Sequence, residues 1–429
     1  MIEKKTAVEK FVLQGDVVYA PTPQKLITMQ DGYVVCREGL CLGAYAELPQ
    51  EYQTWPRLDY RGQLLIPGLV DLHLHAPQYT FRSLGMDLEL LEWLNTHTFV
   101  EEARYQDLDY AEQAYQLFVE DLVAGGTTRA CIFATIHREA TLLLMKKLEQ
   151  AGLIAYVGKV NMDRNSPDDL CEGSATDSLQ DTVTWLEQCQ DLQHVQPILT
   201  PRFIPSCSEQ LLQGLGQLQA QYHLPLQSHL SENLEEIRWV QELCPQAPCY
   251  GAAYDQYGLF GSNGPTIMAH CVHSNAMERA LLQQRNVYIA HCPQSNTNLA
   301  SGIAPARLYL DAGMKMGLGT DVAGGENTSL FRAMAMAIQC SKLRWRLVDQ
   351  SLAPLKVEEV FYLATKGGGS FFGRVGSFEP GYQLDALIIK DEQLRQPTTP
   401  TLEERLARII YNEDDRDIVA KFVAGRRVK

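Results

Sequence analysis

Ten histidines occur in the 429-residue chain, and six of them, His73, His75, His229, His270, His273 and His291, fall at or near the ends of short apolar runs. The densest case is LLIPGLVDLHLHAPQY, residues 64–79, where one leucine separates His73 from His75. Positions i and i+2 of an extended strand share a face, so both imidazoles would converge where a buried strand gives way to a loop. Alone, the pair reads equally as hydrogen-bonded core histidines. The later residues change that balance. His229 stands in QSHLSE, His270 in MAHCVH, and Asp321 in GLGTDVAGG, whose glycines permit close backbone approach. Several imidazoles plus one carboxylate form a zinc-type ligand set, and iron uses similar ligands. His270 is either a direct ligand or a hydrogen-bonding partner of the ion's water. His291, in IAHCPQSN, either joins the site or braces its rim; His97, His137, His194, His223 and His273 read as surface or packing residues.

Glu232, three residues after His229, is of the type and place for a proton shuttle, provided its surroundings raise its pKa. The nucleophile would be water whose pKa a metal lowers to about 7, with Asp321 accepting its proton.

These side chains need a scaffold that carries strand ends to one place. Between residues 66 and 374 the chain alternates strand-like and helix-like patterns. The candidate strands are GLVDLHLH, TTRACIFAT, AYVGKVNM, VQPILTPRF, LPLQSHLSE, TIMAHCVH, VYIAHCPQ and MKMGLGTDV. Amphipathic segments such as DYAEQAYQLFVEDLVAGG, ATLLLMKKLEQAG and SEQLLQGLGQLQAQYH separate them. Eight such units predict a TIM-type (β/α)8 barrel, an α/β fold whose C-terminal strand ends share one mouth. Residues 1–65 and 375–429 instead show short apolar runs broken by turns, which predicts one β-rich domain built from both termini.

Composition narrows the function. A formal charge of −15 argues against a phosphate-tracking nucleic-acid binder. No run approaches the ~20 apolar residues of a membrane span, and the opening MIEKKTAVEKFVLQGDVVY lacks the apolar core of a signal peptide. Eleven scattered cysteines, with Cys131, Cys271 and Cys292 inside apolar runs, predict reduced thiols and a cytoplasmic protein.

Together GLVDLHLH, HLSE, AH at 269–270 and TDVAGG resemble the amidohydrolase superfamily over nearly the whole chain. HAPQY, LLEWLNTHTF, FATIH, TPRF, IAHCPQSN and GLGTDVAGG are similar to its guanine-deaminating members. The resemblance implies a barrel with a terminal β-sandwich domain, zinc, a homodimer, and hydrolysis of guanine to xanthine and ammonia. It places His73, His75, His229, His270 and Asp321 at the metal and Glu232 at the proton shuttle. It further places His75, His229, Glu232 and Asp321 beside the substrate. Gln78 matches the glutamine that bonds the purine edge, and Arg202 and Phe203 match the pair that bonds and packs against the base. Binuclear relatives bridge two metals with a strand-four lysine; PILTPRFIP has none, so one ion per chain is expected. The residue types suit these roles: a planar guanidinium fork for a carbonyl, an amide for an amide-like edge, and a flat apolar ring. Each also has a plainer reading, Arg202 as a rim ion pair, Phe203 as packing and Gln78 as a loop cap.

Three rivals remain. The zinc deaminases with H-x-E followed by P-C-x-x-C have a partial echo in HRE at 137–139, but CPQAPC at 244–249 has the wrong spacing. Another mononuclear deaminase or chlorohydrolase would act on a different purine, pyrimidine or triazine. A metal-free binding protein on the same scaffold would be expected to have lost ligands that this chain retains.

Overall fold

The computed structural model describes residues 10–394, 397–412 and 415–429; residues 1–9, which open the stretch judged for a signal peptide, lie outside them. Both ends of the described chain meet in one seven-stranded sheet, ordered Arg426–Arg427, Ile418–Val423, Ala386–Ile389, Arg57–Pro67, Lys10–Thr22, Lys25–Arg37 and Leu40–Tyr45. Ala386–Ile389 runs antiparallel to Arg57–Pro67, which stitches the C-terminal segment to the N-terminal one. Leu13, Val17, Val34, Leu65, Phe378 and Phe422 form its apolar core. The C-terminal segment also holds a helix, Leu402–Asn412, that the β-rich reading did not anticipate; Leu406, Ile409 and Ile410 are its buried face.

The inserted part contains parallel strands β1 (Leu69–His75), β2 (Thr127–Phe133), β3 (Ile154–Gly158) and β4 (Val195–Pro197) in one sheet. A second sheet holds β5 (Leu226–Leu230), β6 (Thr266–His270), β7 (Tyr288–His291) and β8 (Met316–Leu318). Each run expected to be a strand overlaps one of them. Helices occupy the crossovers, among them Leu108–Ala124, Arg138–Ala151 and Glu209–Tyr222, where amphipathic patterns placed them. Asp107 and Ser208 cap the first and third by accepting backbone N–H groups of the opening turn.

Hydrogen bonds join the two parallel sheets along both edges. Leu199 donates to Pro225 and Gln227 donates to Leu199, each at 2.9 Å. On the other side Asp321 donates to His73 at 2.8 Å, and His75 donates to Val322 at 3.0 Å. Val70, Leu72, Cys131, Ile198, Ile267 and Ala290 pack together from around these strands.

The apolar run 64–75 reads as one buried strand, but the structure divides it. Residues 64–67 end a strand of the terminal sheet, and β1 begins at Leu69. Gly68 makes the passage possible: a Cβ there would lie 2.3 Å from Thr128 Oγ1 and 2.9 Å from Asp385 Cβ. Further along, the β1–β2 register shifts between Asp71 and Leu74, inserting one extra residue. Val70 and Leu72 therefore share the inner cluster, whereas Leu74 packs in an outer one. The shift turns the faces so that His73 and His75 point inward. Among the described residues, no helix is long and apolar enough to cross a membrane.

Candidate active site

His73 and His75 on β1, His229 on β5 and His270 at the end of β6 come together with Asp321 from the loop after β8. Asp321 Oδ1 lies 3.1 Å from His73 Nε2 and 3.5 Å from His75 Nε2. Its Oδ2 is 3.7 Å from His270 Nε2. His229 Nε2 faces His75 Nε2 at 3.3 Å. His73, His75, His270 and Asp321 are buried and His229 is half-buried. Gly319 permits the approach of β8 to β1, since a Cβ there would meet His73 Cβ at 2.9 Å and Cys292 Sγ at 2.8 Å.

The outer hydrogen bonds orient the rings. His229 Nδ1 donates to the Arg202 carbonyl at 2.7 Å, and His270 Nδ1 pairs with Asn296 Oδ1 at 2.9 Å. In these tautomers each Nε2 carries a lone pair directed inward. His75 Nδ1, buried, has no hydrogen-bond partner. Nor do His73 Nε2 and His270 Nε2, both buried, carry any hydrogen bond. Burial, the largest influence, pushes His73, His75 and His229 below the ordinary histidine range, which keeps the donor lone pairs available. Burial alone would raise Asp321, but the imidazoles of His73, His270 and His75 outweigh it and hold the carboxyl well below the usual range. Two triplets, His73 with His75 and His229, and His73 with His270 and Asp321, bring one ligand atom each within 4.8 Å of one another. Neutral imidazoles around an anion, with inward nitrogens lacking partners, fit a metal ion of the zinc or iron type.

A cavity adjoins this cluster. His75, His229, His270 and Asp321 face it from one side, Gln78, Arg202 and Phe203 from another, and Leu90, Trp93, Leu94 and Leu299 wall it with apolar surface. No lysine is among its lining residues. Glu232 faces it with Oε2 3.4 Å from His270 Nε2, while Ser301 Oγ donates to its Oε1 at 3.2 Å. Burial, reinforced by Asp321, pushes Glu232 up to about 8. Local sequence explains its placement. Asn233 caps the helix Leu234–Leu243, and the Glu236 carboxylate accepts from the backbone N–H of Glu232 at 3.1 Å and Asn233 at 3.3 Å. Glu236 is itself pushed up to about 7, first by burial and then by Glu232.

Other groups support the site without having been singled out in the sequence. Asp71, which burial pushes up to about 7, accepts from Thr320 Oγ1 at 2.5 Å and from the His73 N–H at 3.2 Å, tying β1 to the β8 loop. Glu102 pairs with Arg202 and Gln78. Nothing in FVEEARY distinguishes it from an exposed helical acid. Asn296, Leu299 and the LLEWL segment lay within or beside motifs already noted, but without assigned roles.

The remaining histidines separate from the site. His291 closes β7, buried but not facing the cavity, and burial next to His270 pushes it down to about 4. His273, expected at the surface or in packing, bonds the Ser301 carbonyl at 2.7 Å and so steadies the loop that reaches Glu232. His223 ends the helix Glu209–Tyr222 in a left-handed conformation, and His194 bonds Arg426 at 2.9 Å. His97 and His137 are both half-buried. A larger, wide-open depression of the surface is lined by His137, Glu172 and Asp181. Arg138 pairs with its Asp181 and buried Lys159 with its Glu172. Neither His137, Glu139 nor any cysteine belongs to a metal-capable cluster among the described residues.

Known proteins bear on this geometry. Residues 64–428 match the amidohydrolase family. A guanine deaminase of Dictyostelium discoideum is 39% identical over 381 residues, covering 87% of this chain and 84% of that one. The Homo sapiens guanine deaminase is 37% identical, covering 85% and 83%. A crystal structure of guanine deaminase from C. acetobutylicum with bound guanine in the active site shares 46% identity at a TM-score of 0.95, covering 98% of this chain and 100% of the other. A family match that begins just before the histidine-bearing strand and runs almost to the C-terminus, with such relatives over most of their length, puts the chain in the amidohydrolase family, grouped with its guanine deaminases.

Proposed function

We propose that this chain is a metal-dependent guanine deaminase, converting guanine and water to xanthine and ammonia. One observation carries the reading: one cavity brings the imidazole–carboxylate cluster, a buried glutamic acid and a set of polar and apolar groups together. His73, His75, His229, His270 and Asp321 would hold one ion, zinc by preference, with iron the alternative for the same donors. Bound there, the ion would supply Lewis-acid charge that makes water nucleophilic near neutral pH.

The chain's own residues would do the rest. Gln78 and Arg202 hold the base by its hydrogen-bonding edge, and Phe203 with Trp93 and Leu90 keeps the ring flat. Asp321 accepts a proton from the attacking water. Glu232 delivers a proton to a ring nitrogen beside C2, and the proton held by Asp321 passes to the exocyclic amine; as the C2–N bond breaks, ammonia departs and the C2 hydroxyl returns its proton to Glu232. The apolar wall excludes bulk water, so the charges act in a low-dielectric space. Positioning accounts for much of the rate.

The finer architecture belongs to the same proposal. The hydrogen-bonded edges support reading residues 66–374 as a closed (β/α)8 barrel. The terminal sheet supports a β-sandwich built from residues 1–65 and 375–429. A homodimer and a cytoplasmic setting complete it, the latter supported by eleven cysteines without a disulfide among them. The test is an ultraviolet assay of xanthine formation from guanine, with and without a chelator. Activity lost on chelation and regained with zinc is expected; no ammonia from guanine, but turnover of another heterocycle, would transfer the reading to a different amidohydrolase.

A further inference from the structure

Glu102 does not line the cavity, yet the polar groups that do line it converge on its carboxylate. Gln78 Nε2 donates to Glu102 Oε1 at 2.8 Å. Arg202 Nη1 donates to Oε2 at 2.6 Å and Nη2 to Oε1 at 3.1 Å. All three side chains are buried, Glu102 being 1% exposed. The guanidinium also lies over the Phe99 ring, 5.1 Å from its centroid.

This arrangement removes ambiguity from both groups. A carboxylate only accepts, so the Gln78 amide must turn its NH2 toward it. The backbone N–H of Ala323 donates to Gln78 Oε1 at 3.3 Å, fixing the same orientation from the other end. Arg202 gives one N–H of each terminal nitrogen to the same carboxylate, which leaves its remaining N–H groups for a ligand. Its charge is offset by an anion that the base never meets. The outcome is a donor-rich, locally neutral edge. A neutral heterocycle with a carbonyl matches that edge; one without it leaves buried donors unpaired.

We infer that Glu102 is a positioning residue that sets which purine this site accepts, by holding Arg202 and Gln78 in one hydrogen-bonding array. The inference rests on the reading of the cavity as a guanine site. It assigns the choice of base to a group outside the cavity.

The comparison substrate is 2-aminopurine, which keeps the amine at C2 and lacks the ring carbonyl. Wild-type protein should prefer guanine by kcat/KM by ~10⁴-fold, the scale for a site whose polar groups are left unpaired by the wrong ligand. Glu102→Gln should lower that preference by at least ~10-fold, the scale of one hydrogen bond to a charged group. The loss should appear mainly in the KM for guanine, with metal per chain unchanged. Glu102→Asp keeps the charge but withdraws it by one methylene. It should give a smaller loss of preference, and it serves if the glutamine variant does not fold. A merely structural role predicts equal losses on both bases; that result in either variant overturns the inference while the guanine reading stands. A wild-type protein inactive on guanine overturns the reading itself, and the inference with it.

Discussion

Two buried clusters of charge sit at opposite kinds of place in this molecule. Where β2 meets the terminal sheet, Arg129 donates to Asp385 at 2.6 and 3.0 Å and to Gln383 at 2.7 Å. Asp385 also accepts the Ala424 N–H at 2.7 Å. At the mouth of the parallel strands, by contrast, His73 Nε2 and His270 Nε2 carry no hydrogen bond and Glu232 is held in a largely desolvated place. Arg129 and Asp385 are as deeply buried as His73, His270 and Glu232. The difference lies in satisfaction: a junction whose donors are engaged holds two parts of the chain together, whereas convergent unsatisfied donors and acceptors mark a place made for something else.

That contrast can be broken by experiment. The largest effect is expected at the junction. Arg129→Met leaves Asp385 buried without its partner and should destabilise the fold by about 3–5 kcal/mol. Urea titration reads this, and kcat of the folded fraction should not change; a loss of turnover without a loss of stability would erase the distinction. The mouth should behave in the opposite way. Glu232→Gln should lower kcat/KM for guanine by at least ~10²-fold, with metal content intact and Tm unchanged or higher, because a desolvated acid is replaced by a neutral amide. Near-normal turnover would remove Glu232 from the chemistry. The smallest effect tests the boundary between the two kinds of region. Asn296→Ala frees His270 Nδ1 and should weaken metal binding by ~10-fold, the low end for a residue that orients a ligand. Competition with a chromophoric chelator measures it, and unchanged affinity would mean that the strand alone aligns His270.

Much of the site was legible because its rules are local. HxH puts two imidazoles on one face of any strand, and alternating strand and helix patterns carry later strand ends toward the same side. His73, His75, His229, His270 and Asp321 could therefore be chosen as a group before their distances were known. Other features were not legible. The LLIPGLVDL run has uniform hydrophobicity, so nothing in it announces that Gly68 passes the chain between two sheets. The extra residue between Asp71 and Leu74 is likewise invisible to periodicity, although it decides which β1 side chains point inward. SENLEE did carry a readable capping signal, since an acid three residues after Asn233 is what fixes the Glu232 peptide.

By itself, the sequence determined the chemistry on offer: which side chains could donate to a metal, which acid stood near them, and that each would sit at a strand end. Those properties depend on residue type and on spacing along one element. Only the tertiary structure decided that Glu102 would hold Gln78 and Arg202, 24 and 100 residues away, and that Asn296 would orient His270, 26 residues distant. Such pairs have no local signature, because burial and hydrogen-bond partnership arise only when separate strands and loops close around the same space.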